Sequence, residues 1–193
     1  MKRDVPAKDT KNAKDIPPSH KTKNRRLIFM EKNRVNTKFL VSTALIAAVY
    51  VVMTLAIAPL SFGMVQVRFS EMLMLMAFID KKYAPGLALG CFIANCFSPF
   101  GMMDIVFGTT CTVAALWGIT HYSKTLFGAS LWAVFCNAFI GIELYLFGSP
   151  LLLSMAMVAV GEFLSVSCAG YVLFRQLMKN PMLLEKLKIA QIG

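Results

Sequence analysis

Six polar side chains interrupt the most apolar part of this chain, and they are the residues best suited to bind a ligand. They are Arg68, Glu71, Asn95, Asp104, Glu143 and Glu162. Arg68 and Glu71 lie three residues apart, so they can pair on one face of a helix. Asp104, Glu143 and Glu162 are then left without a cationic partner, and buried carboxylates need hydrogen-bond donors, cations or water. This deficit of positive charge indicates a ligand rich in N–H donors.

Simpler interpretations stay open for these residues. Asp104 and Glu143 can face lipid headgroups at a membrane boundary, and Arg68 can extend its side chain to the same headgroups. Glu162 lies too far from a boundary for that, so its alternative is a structural carboxyl that is protonated or bonded to serine. In each of these interpretations the residue contacts lipid headgroups or packs inside the protein, and it binds no ligand.

Other chemistries have little material in this sequence. His20 lies in a charged tail and His121 in a turn, so we expect no histidine-based metal site. The five cysteines contain no Cys-x-x-Cys pair and are expected to be reduced packing residues. The sequence has no Gly-Lys dipeptide, hence no Walker A phosphate loop, and no Gly-x-Ser-x-Gly elbow. We therefore expect no metal, no cofactor and no enzymatic activity; an intramembrane enzyme using the acids as acid–base pairs is the least favoured alternative.

The composition identifies the environment that must hold these polar residues. Of 193 residues, 57% are hydrophobic and only 16% are charged, whereas a soluble domain has about 25% charged residues. The net charge of +10 is divided into +8 over residues 1–38, −1 over 39–174 and +3 over 175–193. Basic tails around a neutral apolar middle predict a polytopic membrane protein and argue against a nucleic-acid-binding surface.

The apolar middle is long enough for about six spanning helices, since each needs about 20 apolar residues. The expected fold is all-α, with residues 35–178 forming a six-helix transmembrane domain. A basic, disordered cytoplasmic tail is expected at 1–34 and a short basic cytoplasmic tail at 179–193. The predicted spans are 39–58 ending at Pro59, 65–79, 83–97, 102–120, 126–147 and 149–177.

The distribution of basic residues predicts the orientation of the bundle. Cytoplasmic loops are enriched in Lys and Arg, and six spans with both termini inside place every loop Lys and Arg in the cytoplasm. In this orientation the polar side chains lie in the outer half of the bundle, with Glu162 near the midplane. The sequence thus predicts a multi-pass cell-membrane protein with a polar pocket open to the outside.

Several short segments, taken in order and spacing, resemble the queuosine-precursor transporter (QueT) family. The resemblance covers residues 35–176. The segments are Gln66-Val67-Arg68-Phe69-Ser70-Glu71, Pro85-Gly86-Leu87-x-x-Gly90-Cys91-x-x-Ala94-Asn95, Asp104-x-Val106-Phe107-Gly108, Glu143-Leu144, Pro150 and Gly161-Glu162.

This resemblance implies a substrate-binding S component of an energy-coupling factor (ECF) transporter. Such proteins are six-helix bundles that capture a micronutrient outside the cell and work with a transmembrane coupling protein and two ATPases. The implied ligand is a queuosine precursor or related 7-deazaguanine, bound by the six polar residues above. An Ala-x-x-x-Ala pattern on the first helix of these proteins meets the coupling protein, and here it maps to Ala44 and Ala48.

Two other functions remain as alternatives. One is an S component for a different vitamin or nucleobase. The other is a solitary proton-coupled carrier in which Glu162 relays protons. Uptake without ATP or partner proteins would distinguish the solitary carrier from the S component.

Overall fold

The computed structural model describes residues 37, 39–63 and 65–187 of the chain, and this part is helical without a β-strand. The predicted tail at 1–34 lies outside the described residues, as does the end of the chain from residue 188. The helices are α1 (Phe39–Ala56), α2 (Ala58–Ser61), α3 (Phe69–Ile79), α4 (Ala84–Asn95), α5 (Met102–Tyr122), α6 (Leu126–Leu146), α7 (Leu151–Met178) and α8 (Pro181–Leu187).

Four of these helices are long and apolar enough to cross a membrane. They are α1, α5, α6 and α7, with 18, 21, 21 and 28 residues. The all-α class is therefore confirmed, and these four predicted spans are found as apolar helices of spanning length. The predicted spans at 65–79 and 83–97 are found as α3 and α4, which are shorter helices of 11 and 12 residues, below the length of about 20 residues that a spanning helix needs.

The ends of two predicted spans differ from the structure for backbone reasons. The segment before α3 is not helical: Gln66 has a φ of 46° and Arg68 is extended, with φ −100° and ψ 95°. α1 ends at Ala56, because Ile57 leaves helical geometry. Pro59 does not terminate that helix; it lies in the first turn of α2, where its missing N–H removes no helical hydrogen bond.

Glycines let α4 pack closely against one face of α1. A Cβ added at Gly86 would lie 2.8 Å from the carbonyl oxygen of Thr43, and one added at Gly90 would lie 3.0 Å from Cα of Ala47. This is the close approach that the Gly-x-x-x-Gly spacing predicts. The face of α1 toward α4 therefore carries Thr43, Ala47 and Tyr50, with Ala47 and Tyr50 buried.

Three helices depart from regular α geometry next to buried polar residues. Phe69–Leu75 of α3 is a 3₁₀ helix that contains Glu71, and Phe163–Gly170 of α7 is a π-helical stretch that follows Glu162. A 3₁₀ turn at Ala138–Ile140 separates Asn137 from Glu143 in α6. At about 100° per α residue and 120° per 3₁₀ residue, the turn brings these two side chains to within about 60° of each other, where a regular helix would leave about 120°.

After a break at Lys179 and Asn180, the chain forms one more helix. α8 covers Pro181–Leu187, where the sequence predicts a tail at 179–193. The Tyr83 hydroxyl donates a hydrogen bond of 2.5 Å to the Leu187 carbonyl, and Leu187 packs against the main apolar core. α8 is thereby attached to the turn Lys81–Tyr83 between α3 and α4.

Candidate functional site

A buried ion pair lies at one end of the bundle, where α5 begins. The Nη2 atom of Arg68 is 3.1 Å from Oδ1 and 3.3 Å from Oδ2 of Asp104. Arg68 also donates through Nε to the Ser61 carbonyl at 3.0 Å, and its guanidinium lies 5.4 Å from the ring centroid of Phe62. Arg68 and Asp104 are 1% and 0% exposed, so this pair is desolvated and held from several sides.

The predicted pairing of Arg68 with Glu71 is wrong. Spacing of three residues brings side chains together on a helix, but Arg68 is extended and α3 begins only at Phe69. The guanidinium of Arg68 therefore reaches across to α5. Asp104 thus has a cationic partner, which was not predicted from the sequence.

Glu143 lies beside this pair without belonging to it. It is buried and close enough to interact electrostatically with both Asp104 and Arg68. Within the described residues, neither of its carboxyl oxygens has a hydrogen-bond partner. We call Arg68, Asp104 and Glu143 the rim group, because they lie near the ends of their elements.

Glu71 lies farther into the bundle and is half satisfied. Its Oε1 accepts hydrogen bonds from the Tyr50 hydroxyl at 2.5 Å and from the Thr112 hydroxyl at 3.5 Å. Its Oε2 has no partner among the described residues. Thr112 follows Asp104 by eight residues on α5, or about 12 Å along the helix axis, which separates this level from the rim.

Glu162, Asn137 and Gln66 complete this deeper level. Glu162 lies near Glu71, and the Asn137 side chain is within hydrogen-bonding range of both carboxyls. The backbone of Val65 and Gln66 passes against Gly161, next to Glu162: a Cβ on Gly161 would lie only 1.8 Å from the Val65 carbonyl oxygen. We call Gln66, Glu71, Asn137 and Glu162 the deep group.

No well-formed hydrogen bond reaches the side-chain polar atoms of Glu162, Asn137 and Gln66 within the part of the chain that the structure describes. With Glu143 and Oε2 of Glu71, nine buried polar atoms in this one region are unpartnered. An unsatisfied buried polar group costs about 1–3 kcal/mol, and native proteins have few of them. Their concentration in one place is what a site awaiting a polar ligand requires.

The formal charge of the region is strongly negative. Arg68 is the only buried Lys or Arg among the described residues, and it is paired with Asp104. The three remaining buried carboxyls, those of Glu71, Glu143 and Glu162, have no buried cation to neutralise them.

Asn95 has a different place from the other predicted residues. Its Nδ2 donates to the Asp104 carbonyl at 3.1 Å and to the Thr109 hydroxyl at 3.3 Å. A Cβ on Gly108 would lie 2.7 Å from this Nδ2 atom and 2.8 Å from Oδ1 of Asp104. Asn95 thus attaches the end of α4 to the start of α5, and its ligand role stays a prediction.

All six predicted site residues are buried and near one another, but two members of the site were not selected from the sequence. Asn137 and Gln66 are 0% and 1% exposed. A buried amide in an apolar segment is a weaker signal than a buried charge, because it costs less to bury. The positive φ of Gln66 is a clear structural signal, since such conformations in residues other than glycine cluster at binding sites.

Ala44 and Ala48, the predicted partner-interface residues, lie away from this site. Both are exposed, whereas Ala47 and Tyr50, on the face of α1 toward α4, are buried. Their contact with a partner protein stays a prediction.

Comparison with known proteins identifies the family. The model of the family described as "QueT transporter" matches residues 40–179. The chain belongs to the QueT transporter family. This match includes every residue of the rim and deep groups, and the resemblance found in the sequence is confirmed.

A curated relative supports the same assignment. The "Queuosine precursor transporter QueT" of Lactococcus lactis subsp. cremoris (strain MG1363) is 29% identical to this chain over 161 residues, which cover 75% of the chain and 94% of the relative. No solved structure matches the chain. Membership of the QueT family and the four apolar helices together make this a multi-pass membrane transport protein.

Proposed function

We propose that this chain is the substrate-capture S component of an ATP-driven ECF importer, and that it binds a queuosine precursor or related 7-deazaguanine from outside the cell. The observation that carries the proposal is the set of unpartnered carboxyl and amide groups buried together in a QueT-family chain. These groups match the N–H donors and the carbonyl of a guanine-like ring. A site built to bond such groups also rejects analogues that lack them, because its own polar atoms would stay unpaired.

The proposal includes six membrane crossings with both termini in the cytoplasm. α3 and α4 are short, but non-helical backbone is tolerated at membrane depth where it is buried in protein or lines a cavity. The segment before α3 meets this condition, since Gln66 and Arg68 are buried. Six crossings also keep the loop lysines on the side that the positive-inside rule requires.

The proposed partners are a transmembrane coupling protein and two ATPase subunits. The sequence has no Gly-Lys dipeptide and thus no Walker A loop, which agrees with ATP hydrolysis on other chains. The exposed small residues Ala44 and Ala48 on α1 suit close helix contact in lipid, and they are the proposed contact with the coupling protein.

A solitary proton-coupled carrier is the second candidate function. It is favoured by one observation, the buried Glu162 carboxyl without a partner among the described residues, because intramembrane carboxyls serve as proton relays. Uptake by liposomes that contain this protein alone, driven by a pH gradient without ATP, would support it.

The S-component proposal is tested by measuring ligand binding to the purified full-length protein. We expect 7-aminomethyl-7-deazaguanine to bind and adenine not to bind under the same conditions. Uptake in proteoliposomes should then require the coupling protein, both ATPases and ATP. Absence of binding by the wild-type protein, or uptake independent of ATP, would contradict the proposal.

A further inference from the structure

We infer that the deep group holds the ring of the ligand while Glu143 of the rim group binds a positively charged side arm, so that the site selects cationic 7-deazaguanines over neutral ones. This inference rests on the proposed function and deepens it by assigning the two ends of the ligand to two levels of the site.

The deep group suits the ring because it can both donate and accept. Gln66 has an unpartnered NH₂ donor and an unpartnered carbonyl acceptor, and Glu162 adds two acceptor oxygens. Asn137 lies within range of the Glu71 and Glu162 carboxyls but makes no well-formed hydrogen bond to either, so its amide can turn to a ligand. A guanine-like edge has a carbonyl acceptor beside N–H donors, so carboxylates alone cannot satisfy it.

Most of the donor atoms that the sequence offered for the ring carbonyl are already engaged. Nε and Nη2 of Arg68 are bonded to Ser61 and Asp104, and Nδ2 of Asn95 is bonded to Asp104 and Thr109. The amides of Gln66 and Asn137 are buried donors without a well-formed hydrogen bond in the described part of the chain.

Glu143 suits a cation because it can only accept. Both of its oxygens are unpartnered among the described residues, and its charged neighbours Arg68 and Asp104 already neutralise each other. A ligand ammonium would make charge-assisted hydrogen bonds to Glu143, and such bonds are about twice as strong as neutral ones.

The separation of the two levels fits a ring with a side arm. Asn137 and Glu143 are six residues apart on α6, or about 10 Å along the axis, and the 3₁₀ turn at Ala138–Ile140 directs them toward the same side. A small amine cannot reach both residues at once, whereas a bicyclic base with an aminomethyl arm has a group for each.

The test is a binding matrix on the purified full-length protein. The ligands are 7-aminomethyl-7-deazaguanine, its N-acetyl derivative and 7-cyano-7-deazaguanine, of which the last two are uncharged. We expect wild type to bind the amine about 10- to 100-fold more tightly than either neutral ligand, as for the loss of a charge-assisted bond. Equal affinity for all three, or tighter binding of a neutral ligand, would overturn the inference without touching the proposed function.

Two variants assign the levels. Glu143→Gln should lower affinity for the amine about 10-fold or more and leave the neutral ligands within about 2-fold, whereas Glu162→Gln should weaken all three ligands to a similar extent. Glu185→Gln, on the exposed surface of α8, is the matched control with unchanged binding. If Glu143→Gln weakens all ligands equally, or Glu162→Gln weakens only the amine, the assignment is wrong.

The ligand series in wild type keeps the inference testable if a variant does not fold, since it needs no substitution. Failure of wild type to bind any of the three ligands would instead count against the proposed function.

Discussion

The Arg68–Asp104 pair and the Gln66–Asn137–Glu162 trio are both fully buried, but their polar atoms are satisfied to opposite degrees. The pair makes two hydrogen bonds between its own side chains and a third from Arg68 to the Ser61 carbonyl. Within the described residues the trio makes no well-formed side-chain hydrogen bond, although Asn137 lies within hydrogen-bonding range of Glu162. The difference separates two uses of buried polarity: the pair stabilises the fold, and the trio lowers stability while it stays open for binding.

The largest expected effect follows from removing the carboxylate of the pair. Asp104→Asn removes the carboxylate that is hydrogen-bonded to Arg68, and loss of one partner of a buried pair lowers the free energy of unfolding by about 3–5 kcal/mol. We expect the Tm in detergent to fall by on the order of 10 °C. Glu185→Gln serves as control with an unchanged Tm, and an unchanged Tm for Asp104→Asn would show that the pair is not stabilising.

A backbone contact under the trio comes next. Gly161→Ala places a methyl group against the Val65 carbonyl, a position 1.8 Å away in the present structure, so the segment that carries Gln66 must move. We expect a loss of about 3 kcal/mol in stability together with weaker ligand binding. Val160→Ala, on the exposed side of the same turn, should change stability by less than about 0.5 kcal/mol. If Gly161→Ala binds the ligand as tightly as wild type, Gln66 is not part of the binding site.

The trio itself is tested by separating stability from binding. Glu162→Gln replaces an unpartnered buried carboxyl with a neutral group, so the Tm of the ligand-free protein should stay equal or rise. Ligand affinity should fall about 10- to 100-fold. Thermal unfolding and calorimetric binding on the same preparation check both statements. A lower Tm without ligand would mean that Glu162 supports the fold as the pair does.

Glu71 lies between these two extremes and should show an intermediate effect. Tyr50→Phe removes the hydroxyl that donates to Oε1 of Glu71, with an expected loss of about 1 kcal/mol. Tyr145→Phe, at a position that is 52% exposed, is the control and should leave the Tm unchanged. If Tyr50→Phe is as stable as wild type, the hydrogen bond from Tyr50 to Glu71 does not stabilise the fold, and Glu71 belongs with the trio that stays open for binding.

The smallest effect on the isolated protein is expected on the exposed face of α1. Ala48→Leu should change stability by less than about 0.5 kcal/mol, whereas Ala47→Leu, at a 4% exposed position against Gly90, should destabilise by about 1–3 kcal/mol. If the proposed partner contact is right, Ala48→Leu reduces ATP-driven uptake with wild-type ligand affinity. Full uptake by Ala48→Leu would argue against this contact.

The four long helices were predictable because predominantly apolar sequence of spanning length has few other solutions. The later start of the second predicted span was not predictable, since Val65 and Val67 are apolar and only the backbone shows that the chain there is not helical. In the same way, the spacing of Arg68 and Glu71 predicts a pair only if both residues are helical.

The buried carboxyls were predictable as site residues, because burying a charge in an apolar span costs free energy and therefore indicates a function. Their partners were not predictable, because Arg68 and Asp104 are in contact but lie 36 residues apart in the sequence. Asn137 and Gln66 escape a search for charges, and it is their unpartnered amide atoms in the folded chain that draw attention to them.

α1 has one side in the interior of the protein and another side on its exposed surface. Tyr50 on one side donates to Glu71 in the site, and Ala48 on the other side is exposed. Any occupancy-dependent displacement of Glu71 is therefore one helix away from a protein bound at Ala48. By thermodynamic reciprocity, a partner whose affinity for that face changes with occupancy must change ligand affinity by the same factor.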